Sequence, residues 1–118
     1  PTLQSDAWLA VRAMNTPWAA TYEYLDGRGG PYGITAEELI AKTPSVIQGD
    51  PHAVLSFWQQ KDISHILPTS THPELAGDFN NWIPEDPGTN HARHDQVMSW
   101  AEQSHAQLDN IIDALWPF

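Results

Sequence analysis

Apolar positions in this chain recur mainly at helical spacing, interrupted by clusters of Gly, Pro, Asn and Asp. Ser5 to Met14 predicts a first helix, with Ser5 as N-cap and Ala7, Trp8 and Val11 on one face. Asn15-Thr16-Pro17 stops it. Trp18 to Tyr24, rich in aromatics and Ala, suits either helix or extended chain, and Asp26 to Gly33 reads as a loop. Thr35-Ala36-Glu37-Glu38 is a capping box for a short helix through Leu39, Ile40 and Lys42, with Pro44 just beyond its end. Asp50-Pro51 opens another, running to about Gln60 and burying Val54, Leu55 and Trp58.

The period changes near residue 61. Lys61 to Pro68 holds a short strand, ended by a proline that cannot continue a central strand. A turn-rich loop from Thr69 to Asp78 follows, then a second extended piece at Asn81-Trp82-Ile83, closed by Pro84. After the turn Asp86-Pro87-Gly88, Thr89 is placed to cap a helix from Asn90 to about Met98. A two-stranded ribbon with one helix buries little alone, so the flanking helices must brace it. Ser99 to Glu102 is a second capping box, starting a helix to Leu115. Its Leu108, Ile111, Ile112 and Leu115 predict a buried stripe, with a homodimer face as the alternative. The fold class expected is α+β and mostly helical. The 118 residues suit one domain: a helical bracing region over 1–60, a ββα core over 61–98 and a C-terminal helix over 99–118.

Composition narrows the chemistry. There is no cysteine, which excludes disulfides, thiolate zinc sites and cysteine nucleophiles. No apolar run approaches the roughly 20 residues that span a bilayer. The opening PTLQSDAW lacks a signal-peptide pattern. These predict a soluble, cytoplasmic protein with no membrane partner. Fifteen acidic residues against five basic ones give a net charge of −10. A long basic nucleic-acid face cannot be built from Arg12, Arg28, Lys42, Lys61 and Arg93. The glycine-rich stretch lacks the order of a phosphate-binding loop, although Arg28 within it is a candidate phosphate contact. His72, His91 and His94 cluster in sequence, a composition open to a structural zinc site or to a solvated surface.

Three short pieces stand in a telling order: His65-Ile66-Leu67-Pro68, Asn81-Trp82-Ile83 and Asn90-His91-Ala92-Arg93. In that order and spacing, residues 61–98 resemble the ββα-metal core of HNH endonucleases. The resemblance covers about a third of the chain. It implies hydrolysis of DNA phosphodiester bonds with one divalent metal ion, whether Mg²⁺, Mn²⁺, Ni²⁺ or Zn²⁺. It makes His65 the general base and Asn81 the residue that ties the loop and orients that base. It makes Asn90 a metal ligand and Arg93 a phosphate contact. The family commonly carries an acidic metal ligand just before the catalytic histidine, and here that position is Ser64. Asp62 or His94 would have to complete the coordination. The acidity implies weak DNA binding or a partner protein that supplies basic surface. Two other readings follow from the same residues. One is a noncatalytic binding or structural protein on the ββα scaffold. The other is an unrelated helical domain with no strand pair between residues 63 and 84.

Overall fold

The computed structural model describes residues 9–10 and 16–116. Of the helix expected over Ser5–Met14, Leu9 and Ala10 are helical and the rest lies outside the described residues. Five further helices follow: α1 (Trp18–Gly29), α2 (Ala36–Lys42), α3 (Pro51–Gln59), α4 (Pro87–Arg93) and α5 (Trp100–Leu115). Between α3 and α4 lie β1 (Asp62–His65) and β2 (Trp82–Glu85). The architecture is α+β, as expected, and among the described residues no helix is long and apolar enough to cross a membrane.

The short-range caps form as their chemistry requires. The Thr35 hydroxyl accepts from the Glu38 amide, while the Glu38 carboxylate takes the Thr35 amide. Asp50 accepts from the His52 and Ala53 amides at 3.0 and 3.2 Å. Ser99 and Glu102 close a second box at the start of α5.

The glycine-rich stretch corrects the loop expectation. Asp26 to Gly29 are the last turn of α1, and Gly30 to Tyr32 form a 3-10 turn. Tertiary contacts override composition here. The buried Asp26 carboxylate accepts the Ala36 amide at 3.0 Å, and the Ile34 amide reaches the Gly29 carbonyl at 2.9 Å. A side chain at Gly29 would place its Cβ 2.3 Å from the Ile34 oxygen, so only glycine permits this approach.

The strands pair antiparallel, with Asp62 opposite Glu85, Ile63 opposite Pro84, Ser64 opposite Ile83 and His65 opposite Trp82. This pairing rules out the reading without strands between residues 63 and 84. Alternation along the ribbon separates two cores. Ile63 and Trp82 join Leu25, Leu39, Val54, Phe57 and Trp58 from the first three helices. Ile83 joins Met98 and Ala106, with Ile66 packed against them. The ribbon thus lies between the N-terminal helices and α5.

The next element differs from expectation. The helix begins at Pro87 and ends at Arg93, where His94 takes a positive φ of 57°. A proline at the first helical position moves the start ahead of Thr89, because its fixed φ already suits a helix. The α5 stripe is also reversed. Ala106, Asn110 and Ala114 face inward, and the Asn110 amide donates to the Pro84 carbonyl at 2.8 Å. Leu108, Ile111, Ile112 and Leu115 are 42–56% exposed. Small side chains let the helix approach the ribbon closely, which the bulkier stripe would prevent.

Candidate functional site

The order strand, loop, strand, helix places His65 at the end of β1 and Asn81 just before β2. The Asn81 side chain is buried and holds the intervening loop at three points. Its Oδ1 accepts the Leu67 amide at 2.9 Å, and its Nδ2 donates to the carbonyls of Leu67 and Leu75 at 3.1 and 3.2 Å. The loop so fixed presents the Ala76 carbonyl 2.9 Å from His65 Nε2. A carbonyl only accepts, so Nε2 carries the proton of the neutral ring and Nδ1 is left with a free lone pair. Tyr32 packs edge-on against the imidazole, with ring centroids 4.7 Å apart. Burial lowers the His65 pKa below its ordinary value, and the bond to Ala76 opposes this only in part. The ring is therefore neutral near pH 7.

Two clefts share Tyr32, Ile63 and Asn90 in their linings. The smaller, of about 160 Å³, is also lined by His65, Thr69 and His94. The larger, of about 440 Å³, is also lined by Arg28, Asp62 and His91. His65 and Asn90 therefore meet at one cleft, while Asp62 and His94 open onto different ones. His94 is exposed, with Nε2 3.8 Å from Asp95.

Asn90 sits between two oxygen-bearing side chains of β1. Its Nδ2 donates to Asp62 Oδ2 at 3.0 Å, and its Oδ1 lies 2.8 Å from the Ser64 hydroxyl. Ser64 Oγ also lies 2.9 Å from Glu85 Oε1, but it has one proton to give. Glu85 already takes two nitrogens of Arg93, so that proton is best directed to Asn90. His91 Nε2 is 3.3 Å from Asp62, on the exposed side.

Arg93 corrects the phosphate-contact expectation. Its side chain and that of Glu85 are each 4% exposed, and they form a two-pronged pair. Its Nε donates to Glu102 at 2.8 Å. The hydrogen bonds to Glu85, then those to Glu102, hold its pKa well above the ordinary value despite burial. No donor is directed at a substrate. Arg28 is likewise committed, donating to the Tyr24 hydroxyl and to the Trp58 and Lys61 carbonyls. Lys42 donates to the Trp82 carbonyl, and Lys61 to Asp86 and Asp113. Every lysine and arginine among the described residues is thus engaged within the fold.

The donor set decides which metal the site could hold. Asp62 Oδ2 faces the Asn90 Nδ2, while the Asn90 Oδ1 accepts from Ser64. The pair would therefore suit a hard cation such as Mg²⁺ or Mn²⁺ only with the carboxamide turned to present its oxygen, and with water and phosphate completing the shell. Ser64 is a poor ligand and is already bonded. Among the described residues no three His, Asp or Glu side chains converge on a metal position. The zinc alternative finds no such convergence, and His72 Nδ1 lies 2.9 Å from the Thr71 hydroxyl.

Sequence reasoning missed Glu85, Tyr32 and the Ala76 carbonyl. Glu85 has one readable signal, since an acid within an apolar strand calls for a buried cation. Ala76 has none, because a backbone carbonyl is placed by loop geometry alone. Comparison with protein families, curated proteins and solved structures finds no match for this chain.

Proposed function

We propose that this chain is an HNH-like endonuclease that hydrolyses DNA phosphodiester bonds with a divalent cation, and that His65 is its general base. The observation that carries the reading is the pairing of His65 with the Ala76 carbonyl, in a cleft shared with Asn90. That bond fixes the tautomer and orients Nδ1 as a proton acceptor. An attacking water gives its proton to Nδ1 as its oxygen bonds to phosphorus, and the leaving sugar oxygen departs and takes a proton from solvent. Asn81 is a positioning residue, because it holds the loop that carries Ala76. Asp62 and Asn90 would hold the cation, which supplies charge neutralisation at the phosphate. With all described lysines and arginines engaged, substrate affinity depends on that cation or on a partner with basic surface.

A second reading is favoured by one network. Ser64, Asn90, Glu85 and Arg93 satisfy one another, so the site closes on itself without a metal. In that reading the chain keeps the ββα scaffold as a noncatalytic binding or structural protein. Plasmid DNA with Mg²⁺, Mn²⁺, Ni²⁺ or Zn²⁺ distinguishes the two. The nuclease reading expects nicking by the wild type and loss of nicking in His65→Ala. Equal nicking by both proteins would assign the activity elsewhere. Absence of nicking with every metal, together with no gain in Ser64→Asp, would support the noncatalytic scaffold.

A further inference from the structure

Helix α5 buries its small residues and presents its large ones. Leu108, Ile111, Ile112 and Leu115 point outward, with Trp116 exposed beside them. The outward positions Ala101, Ser104, Leu108, Ile111 and Leu115 recur at steps of three, four, three and four. That spacing keeps a seam aligned with a second helix along its whole length.

Charge also singles out this seam. The chain carries a net charge of −10, so two copies repel except through a neutral strip. The acids of α5 lie off the seam. Glu102 bonds to Arg93 and Asp113 to Lys61, while Asp109 lies 3.1 Å from His105. The exposed heptad positions flanking the seam are Trp100, His105, Gln107 and Ile112, none of them acidic.

Side-chain size sets the direction. The seam is small at its start, with Ala101 and Ser104, and large at its end, with Ile111 and Leu115. Parallel copies would crowd the large ends and leave a gap between the small ones. Antiparallel copies set Leu115 of one against Ser104 of the other, and Leu108 against Ile111, so every one of these layers holds at least one large side chain and the layers differ less in volume than in parallel copies. We propose that this chain self-associates through α5 as an antiparallel, twofold-symmetric helix pair. The helix is about 24 Å long, and one face of it falls short of the roughly 800 Å² per partner of a standard stable interface. Exposed Val97, Trp100 and Trp116 at its ends widen the contact. The dimer is therefore reversible and concentration-dependent.

Two measurements on the full chain test this. Sedimentation equilibrium from micromolar to near-millimolar concentration should show the mass climbing toward twice the monomer. Ile111→Glu should weaken association at least about thirtyfold, as loss of a central hot spot does, with an unchanged thermal melt because the side chain is half exposed. The chain has no cysteine, so single replacements are unique crosslinking sites. A mixture of Ser104→Cys and Leu115→Cys should oxidise to the mixed disulfide in preference to either homodimer. A monomer at all concentrations overturns the proposal, as does preferred Leu115→Cys homodimer formation, which would require parallel helices.

Discussion

Nε2 of His65 lies 2.9 Å from the carbonyl oxygen of Ala76, eleven residues away along a loop that Asn81 holds in place. One backbone acceptor therefore fixes the protonation pattern of the imidazole at the cleft.

The first prediction concerns that ring. Its folded pKa lies below the ordinary 6.5, through burial. The unfolded chain then binds a proton that the folded chain refuses, so stability is full above the unfolded value and declines as pH falls through the folded one. NMR titration of the imidazole should show the Nε2–H tautomer and a lowered midpoint. Wild type should lose more stability than His65→Gln on going from neutral pH to below that midpoint. A midpoint above the ordinary value would contradict this burial argument.

Asn81 should matter more than an ordinary loop asparagine. Asn81→Ala removes three hydrogen bonds from a buried position and should cost roughly 2–3 kcal/mol. Urea unfolding measures the loss. Faster amide exchange at Leu67 would locate it in the loop.

The Arg93–Glu85 pair should behave as a buried ion pair. Arg93→Met leaves the Glu85 carboxylate without its cation and should cost about 3–5 kcal/mol. Arg93→Met combined with Glu85→Leu should recover much of that loss, because no unpaired charge remains. Arg93→Lys should rescue poorly, since an ammonium cannot make the two-pronged contact. A double-mutant cycle showing independent effects would refute the coupling.

At the start of α5, Ser99→Ala should cost about 1 kcal/mol through loss of the cap. Glu102 titrates at about 2, held down from 4.5 chiefly by the hydrogen bond from Arg93, then by its bonds with Ser99. Its folded pKa is lowered, so its contribution is present above 4.5 and disappears as pH falls through about 2. Glu102→Gln should flatten the acid limb of the stability curve in that window.

How much of this was legible in sequence depends on range. The caps at Thr35, Asp50 and Ser99 were readable because the partners lie within three residues. The ribbon was readable from its apolar pieces, but Pro84, expected to close the second strand, lies inside β2 opposite Ile63, because an edge position in a two-stranded ribbon tolerates a residue without an amide donor. The helical glycine run was not, because it rests on Asp26 reaching Ala36 and on Arg28 reaching the Trp58 and Lys61 carbonyls. The burial of Arg93 depends on Glu85, which the turn between β2 and α4 brings under it. The α5 stripe is legible as a stripe, but whether it is buried or forms an exposed face is not, for a similar reason. Apolar periodicity marks two faces here, and only the ribbon decides that the small one goes inside.

The central claim is that His65 and Asn90 serve one cation-binding cleft, and Mn²⁺ titration followed by NMR tests it most directly. Paramagnetic broadening should appear first at the Asn90 carboxamide, then at Asp62 and the His65 ring, and Asn90→Ala should abolish it. Broadening centred on the exposed acids of α5, or spread evenly over the surface while the Asn90 signal stays sharp, would contradict the account.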